Sequence, residues 1–290
     1  MEEIKNLFRE KRPNLSNSTL STYYSLISSL HNKLYGTKII NLDHFKNAQN
    51  IIDYLQTSQI NTRRTILSAL YVLTDNILYR DEMMKDIMEI KSQTDKQIKN
   101  DKQKENSISQ ETLKNVYESL KKKATILYKT NNDDYIIDIQ DFIIVSLYYL
   151  IPPRRLLDYT EFKIKNIDKE TDNYMDKNTF VFNRYKTQKT YGKQIVKIPE
   201  NLKKIIKQWI KINPTEYLLF DKKHNKLIGQ TIKYRFNKIF GEGISVNALR
   251  HSYLSDKYLD TIKVNAELEH DMTQMGSSIS QQKTYIQNTD

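Results

Sequence analysis

Apolar residues almost vanish between positions 91 and 106, where the chain reads KSQTDKQIKNDKQKEN. A segment this polar buries no face against a core, so the apolar segments on its two sides must pack separately. It is either an interdomain linker or the solvated extension of a helix, and the sequence is compatible with both. At 290 residues the chain is long enough for two domains that each bury a core. We therefore predict domains at 1–95 and 108–290, joined by a linker at 96–107.

The first domain has apolar side chains at helical spacing along most of its length. One helix begins near an N-cap at 17–19, a second runs from about 42 to 55, and a third from about 61 to 77. Arg63 and Arg64 stand at the start of the third helix, where exposed amides and basic side chains together favour a phosphate. We predict an all-helical domain in which these two arginines contact DNA.

The second domain mixes helical and alternating patterns. The apolar run at 142–150 is either a buried helix or a buried strand. Two alternating segments, 179–183 and 194–198, flank a turn-like stretch at 187–192 and therefore predict a β-hairpin. Helical spacing is found at 109–120, 202–209, 232–240 and in the closing segment. For the whole chain we predict a mainly α fold with a small β-sheet, of the α+β class.

The charge of the chain indicates its partner. Lys and Arg outnumber Asp and Glu by 46 to 35, which gives a net charge of +11. This excess favours nucleic acid, because each neutralised phosphate releases condensed counterions. A membrane is the competing partner, but the sequence has no unbroken apolar run long enough to span one. We expect a nucleic-acid partner and no membrane.

Several classes of site are excluded by composition. Cysteine is absent, so disulfides, thiolate zinc sites and cysteine nucleophiles are excluded. The histidines are scattered along the chain, without the helical pairing that suits a metal ion. The sequence also lacks a glycine-rich phosphate loop. We expect a site that uses neither a metal nor a cofactor.

Four short segments of the second domain combine basic and nucleophilic side chains. They are PRRLLD at 153–158, RYKTQK at 184–189, VNALRHSY at 246–253 and MGSSISQQKTYI at 275–286. Taken singly, the first segment fits a surface arginine pair, and the second fits an ordinary lysine-rich turn. The tyrosine of the last segment, one of 20 in the chain, fits an ordinary core residue. The third differs, because an arginine inside an otherwise apolar helix start needs a buried partner or a ligand.

Taken in order, the four segments resemble the catalytic domain of tyrosine recombinases, a superfamily that shares its chemistry with type IB topoisomerases. The family's Gly-Leu-Arg-x-x-Glu motif corresponds to Arg155, with Asp158 as its buttress. The family's hairpin lysine corresponds to Lys186, with Lys189 the second choice. The motif resemblance covers about 150–286, and the first hundred residues resemble the family's helical core-binding domain in architecture alone.

The remaining two segments supply the second arginine and the nucleophile. The family's His-x-Leu-Arg-His-Ser box resembles 247–252, which makes Arg250 the second arginine. The family's Leu-Gly-His-Ser-Ser-Ile-Ser segment resembles 275–280, and Tyr285 then takes the nucleophile position.

The sequence departs from the family pattern at two site positions. Asn247 stands where the family usually has His or Lys, and Ser277 stands where it has His or Trp. The segment before the tyrosine is one residue short, so Gly276 is an alternative match for the second of these. Both Asn and Ser still form hydrogen bonds to a phosphate oxygen. His251 follows the second arginine and is expected to contact DNA.

The resemblance implies an activity and an assembly. DNA would be cut and rejoined through a 3′-phosphotyrosyl link, without metal or ATP, by a homo-tetramer whose domains clamp double-stranded DNA. It also implies an integrase of a mobile element or virus, acting wherever that DNA lies, in a prokaryotic cytoplasm, a virus factory or a host nucleus. Two alternatives use the same residues: a type IB topoisomerase that relaxes DNA, and a catalytically degenerate protein that binds DNA without cutting it.

Overall fold

The computed structural model describes residues 2–96, 101–130 and 135–286, with the backbone alone at 102, 283 and 285. The chain forms two compact units, Met1–Ile98 and Lys99–Asp290. Each unit has its own hydrophobic core. In the part of the chain that is described, no helix is both long and apolar enough to cross a membrane.

The first unit is helical in its described residues. Its helices are α1 (Glu2–Lys11), α2 (Asn17–Tyr35), α3 (Ala48–Leu55), α4 (Ile60–Thr74) and α5 (Ile77–Asp95). The hydroxyl of Ser16 caps α2 by accepting from the amide of Thr19, and Gly36 ends the helix in the left-handed conformation at φ 68°. The core is closed by Tyr79, whose buried hydroxyl donates to the carbonyl of Phe45 at 2.8 Å.

The polar segment at 91–106 is helical where the structure describes it. Helix α5 continues through the first part of the segment as far as Asp95, and a short helix α6 (Asp101–Glu105) follows. Residues 97–100, near the start of the predicted linker at 96–107, lie outside the described residues. The reading as a solvated helix extension therefore holds for the first part of the segment.

The second unit is built around one buried helix. Its helices are α7 (Gln110–Thr130), α8 (Ile136–Tyr149), α9 (Leu156–Thr160), α10 (Gln188–Tyr191), α11 (Glu200–Ile212), α12 (Gly229–Phe240), α13 (Val246–Gln274) and α14 (Gln282–Tyr285). The apolar run at 142–150, which is compatible with helix or strand, forms most of α8, and nearly every residue of α8 is buried.

A four-stranded mixed sheet accompanies these helices in the order β1-β2-β3-β4. Its strands are β1 (Phe162–Lys163), β2 (Asn173–Asp176), β3 (Thr179–Phe182) and β4 (Gln194–Lys197). Strands β1 and β2 are parallel, and the other two pairs are antiparallel. The predicted β-hairpin is confirmed, since β3 pairs with β4 from Thr179–Lys197 to Phe182–Gln194. Its turn contains the one-turn helix α10. The predicted α+β class is confirmed by this arrangement.

Buried polar side chains tie α8 to its neighbours. The amide of Gln140 donates to the carbonyl of Phe220 at 2.9 Å and accepts from the amide of Phe220 at 2.8 Å. Arg235 of α12 is buried and pairs with Asp141 and with the carbonyl of Ile137 on α8. Because each contact satisfies a buried polar group, these contacts orient α12 and the segment around Phe220 on α8.

We predict that Gln140→Leu lowers the free energy of unfolding of the second unit by roughly 2–5 kcal/mol. The substitution keeps the side chain's volume but leaves the buried N–H and C=O of Phe220 unpaired. Trp209, the one tryptophan of the chain, is buried in this unit, so its fluorescence in urea reports the transition. Gln208→Leu, at an exposed position of α11, is the matched control and should change little. Equal effects of the two substitutions would contradict the prediction.

Candidate active site

The first arginine of the site lies at the start of α9. The Pro152–Pro153 pair follows the end of α8, and Arg155 takes the N-cap position of α9 with an extended backbone at φ −66° and ψ 151°. Its side chain is half-buried. Proline cannot continue a helix, so this break directs the chain away from α8 and places the arginine at the edge of the core.

The second arginine lies in the first turns of α13. The hydroxyl of Ser245 caps this helix by accepting from the amide of Ala248 at 3.2 Å. Leu249 is buried and anchors the turn, whereas Arg250 is half-buried and His251 is exposed. Ser252 donates to the carbonyl of Ile108, which ties this turn to the segment before α7.

Residues predicted from three of the four motifs line one cavity of about 670 Å³, and Ser277 of the fourth motif does not line it. Its predicted site residues are Arg155, Lys186, Asn247, Arg250 and His251. Helix α12 forms another wall, and its polar contributions to the cavity are Lys233 and Asn237. These two residues were missed by sequence reasoning. Their i, i+4 spacing signals only the polar face of an amphipathic helix, which carries no chemical information.

Arg155 and Arg250 also line a second cavity, of about 570 Å³, with Arg154, Asp158 and Gln194. The two arginines thus lie on the wall between the two cavities and line both of them. Neither has a hydrogen bond or ion pair to another described residue, although both are half-buried. A half-buried guanidinium without a partner is unfavourable, so two of them on one wall indicate an anion-binding site.

The expected pairing of Asp158 with Arg155 is wrong. Oδ2 of Asp158 accepts from Nε of Arg154 at 2.8 Å, and the Arg154 guanidinium also donates to Oε1 of Gln194 at 2.9 Å. The guanidinium carbon lies 3.9 Å from the centre of the Phe182 ring, which holds it against the sheet. Stacking on Phe182 and the i, i+4 spacing together select Arg154 for the carboxylate. Arg155 is therefore left without this partner.

Asp158 is nevertheless within electrostatic reach of the site. Burial raises the pKa of its carboxyl group, and the positive charges of Arg154, Arg155 and Arg250 partly oppose that rise. Asp158 is 3% exposed, so its carboxyl group lies beneath the two arginines rather than in solvent.

The two lysines of the hairpin turn occupy different positions. Lys186 is exposed and lines the cavity of about 670 Å³ with the arginines. Lys189 is exposed on α10 and does not line that cavity. The hydroxyl of Tyr185 donates to the carbonyl of Gly192 at 2.6 Å and closes the turn from inside. Of the two lysines, only Lys186 therefore lies at the cavity that holds the arginines.

The chain turns sharply after α13. The amide of Gly276, a residue at φ 73°, donates to the carbonyl of Thr273 at 3.0 Å. The amide of Ser277 donates to the carbonyl of Met272 at 2.8 Å. This pair of bonds is a Schellman motif, which needs a left-handed residue at the glycine. The side chain of Ser277 is half-buried. Tyr285 ends α14, and its side chain lies outside the described residues.

The two arginines predicted to bind DNA in the first unit differ in their surroundings. Arg63 binds the buried carboxylate of Asp86 through Nε and an N–H of the guanidinium, and donates to Oε1 of Gln56 at 2.7 Å. Its side chain is 16% exposed. Arg64 is half-buried. The sequence predicts that Arg63 contacts a DNA phosphate. In the structure its guanidinium is instead engaged in an internal ion pair with Asp86.

Comparisons with known proteins give little support to any assignment. No protein-family model matches the sequence, and no curated protein matches it. Among solved structures, the crystal structure of XerA recombinase matches with 12% sequence identity and a TM-score of 0.36, covering 88% of this chain and 83% of that chain. A likeness at this level carries no argument about the fold or the activity of this chain.

We predict that Arg154→Ala lowers the free energy of unfolding of the second unit by about 3 kcal/mol, because it leaves the buried Asp158 carboxylate without its partner. Trp209 fluorescence in urea measures the change. Lys121→Ala removes an exposed ion pair with Glu118 in the same unit and serves as the control, with an effect of about 0.5 kcal/mol or less. Wild-type stability of Arg154→Ala would mean that Asp158 pairs with another arginine.

Proposed function

We propose that this protein is a site-specific DNA recombinase or integrase that cuts and rejoins DNA strands through a covalent link to Tyr285. The observation that carries the proposal is the cavity shared by Arg155, Lys186 and Arg250, because an ammonium and two guanidiniums without a partner among the described residues converge there. A phosphodiester is an anion that such a set of donors binds well. The basic net charge of +11 supports a DNA partner independently.

Each arginine has a defined task in the proposed reaction. The forked guanidiniums of Arg155 and Arg250 bind the non-bridging oxygens of the scissile phosphate and stabilise the charge that develops there. Asn247 lines the same cavity and donates a further hydrogen bond to the phosphate. Ser277 is assigned a similar role from its place in the sequence motif.

The proposed reaction exchanges one phosphate ester for another. The phenolic oxygen of Tyr285 attacks the phosphorus and loses its proton to solvent, while the bond from phosphorus to the 5′ oxygen breaks. The Lys186 ammonium donates a proton to the departing 5′ oxygen. The products are a 3′-phosphotyrosyl link and a free 5′ hydroxyl. Attack by a 5′ hydroxyl of another strand reverses these steps, so neither ATP nor a metal ion is required.

The remaining predicted residues are assigned to DNA binding. We propose that residues 1–95 are a helical DNA-binding domain and 108–290 the catalytic domain, that the two clamp double-stranded DNA, and that Arg63, Arg64, Lys189 and His251 contact its backbone. The ion pair of Arg63 with Asp86 makes Arg64 the better candidate of the first pair. Strand exchange between two duplexes needs several active sites, and a homo-tetramer on DNA supplies them.

The same cavity is compatible with a type IB topoisomerase. Relaxation requires one active site and rejoins the original ends, whereas recombination joins ends from two duplexes. Recombinant products from two target-bearing duplexes would identify a recombinase, and relaxation of supercoiled plasmid without such products would identify a topoisomerase.

We predict that the wild-type protein forms a denaturant-resistant adduct with nicked suicide duplexes and with supercoiled plasmid in the presence of EDTA. Tyr285→Phe should abolish the adduct because it removes the nucleophilic oxygen, and Arg155→Ala should lower its rate by about 10²–10³-fold or more. Duplex affinity should change little in both. Tyr258→Phe, on the exposed part of α13, is the control and should form the adduct normally.

Adduct formation that persists in both Tyr285→Phe and Arg155→Ala would overturn the proposed mechanism. DNA binding with neither adduct nor relaxation in the wild type would identify the catalytically degenerate alternative.

We predict that Lys186→Ala slows cleavage by about 10²-fold, because the 5′ oxygen then leaves without a proton. A duplex with sulfur at the 5′ bridging position should restore the rate, since a thiolate leaves without protonation. Lys193→Ala, at an exposed position of the same β3–β4 connection, is the matched control and should cleave both duplexes at the wild-type rate. Failure of the sulfur substrate to rescue Lys186→Ala would assign the proton donor to another residue. Rapid quench measures the release of the strand that carries the 5′ oxygen or sulfur.

A further inference from the structure

Two buried polar atoms near the arginines have no hydrogen-bond partner among the described residues. They are the hydroxyl oxygen of Tyr148 and Oδ1 of Asp158. The residues are 1% and 3% exposed, respectively. Native proteins seldom keep a buried polar atom unpaired, and such an atom calls for an explanation in the function of the site. Two of them close to one anion site call for a common explanation.

The surroundings of Tyr148 place it beneath the site. Its ring packs edge-on against Tyr159 at 5.6 Å between centroids and against Phe236 at 5.2 Å. Tyr159 is the chain neighbour of Asp158, and Phe236 lines the same cavity as Arg250. Helix α8 therefore brings the tyrosine under the region where α9 and α12 border the cavities.

The charges of the site act on the Tyr148 hydroxyl. Burial raises its pKa well above the ordinary value of tyrosine, the Asp158 carboxylate adds to the rise, and Arg250 opposes it. Tyr148 is therefore neutral and keeps its proton for donation. The carboxylate oxygen of Asp158 can only accept, so the two unpaired atoms are chemically complementary.

We propose that Tyr148 and Asp158 are positioning residues for Arg250: when Arg250 binds a phosphate, Oδ1 of Asp158 accepts a hydrogen bond from the guanidinium and another from the Tyr148 hydroxyl. A guanidinium has more donors than one phosphate can use, so its inner N–H groups need an acceptor beneath the site. Asp158 lines a cavity with Arg250, and its buried Oδ1 has no partner among the described residues.

This inference rests on the proposed function, because it assumes that the anion bound by the two arginines is a DNA phosphate. Tyr148 touches no reacting atom in it. The hydroxyl acts through Asp158 and Arg250, so its removal should change the rate of cleavage and the affinity for phosphate rather than the affinity for duplex DNA as a whole.

The experiment compares Tyr148→Phe with Tyr128→Phe. Both substitutions remove a single buried hydroxyl oxygen that has no partner in the described structure; Tyr148 is buried as a whole and Tyr128 is half-buried. Burial raises the pKa of Tyr128 to about 12, and no arginine acts on it. We expect Tyr148→Phe to slow adduct formation by about 10-fold at unchanged duplex affinity, as a small misplacement of a catalytic group does. Tyr128→Phe should cleave at the wild-type rate.

Thermal unfolding and phosphate binding complete the test. Both variants should unfold at or above the wild-type temperature, because each loses an unpaired buried hydroxyl. Binding of inorganic phosphate, followed by ³¹P line broadening, should weaken in Tyr148→Phe toward the level of Arg250→Ala, and not in Tyr128→Phe.

The outcomes separate the two proposals. Weakened phosphate binding in Tyr148→Phe, with no adduct from the wild type, would uphold the positioning role and overturn the cleavage mechanism. If Tyr148→Phe matches the wild type in cleavage and in phosphate binding, the positioning role is overturned. This holds whether or not the wild type forms the adduct. Equal losses in the two tyrosine variants would also overturn it, since a shared loss would reflect packing.

Discussion

The repulsion between two half-buried arginines is the constraint on which the second unit depends. Arg155 and Arg250 line the same two cavities, and neither is neutralised by a hydrogen-bonded carboxylate among the described residues. Two such cations stay on one wall only if the helices that carry them are held firmly from below. Their arrangement is thus maintained by the packing beneath them, and the binding of an anion would relieve the repulsion.

Helix α8 supplies that support. Its residues are buried along nearly the whole length, and its side chains Gln140 and Asp141 bind neighbouring elements. Asp141 pairs with Arg235 and with Lys238 at 3.2 Å, which fixes α12 as a wall of the larger cavity. The chain leaves α8 through Pro152 and Pro153 directly into α9. The buried core and the charged surface therefore meet at the C-terminal end of α8.

Part of the candidate site could be predicted from sequence because those residues lie in short, distinctive segments. Arg155, Lys186 and Arg250 come from three segments far apart in the chain, and the structure brings them to one cavity. Asn247 and His251 accompany Arg250 on the same helix turn. Lys233 could not be predicted in this way, because a lysine on the polar face of a helix is the usual case. The pairing of Asp158 with Arg154 could not be predicted from sequence either.

The sequence by itself determined the α+β class, most of the helices, the hairpin and the basic charge, because periodicity and breaker residues act over a few neighbours. It left the run at 142–150 open between helix and strand, and only the structure shows that this run is helical. Only the tertiary structure decided which arginines are neutralised. Arg154 lies on the ring of Phe182 and bonds Asp158, whereas Arg155 does not, although the two are adjacent in sequence. Arg63 is likewise paired with Asp86, 23 residues away. The direction of a side chain and the partner it meets depend on how elements pack, and spacing along the chain carries no record of that.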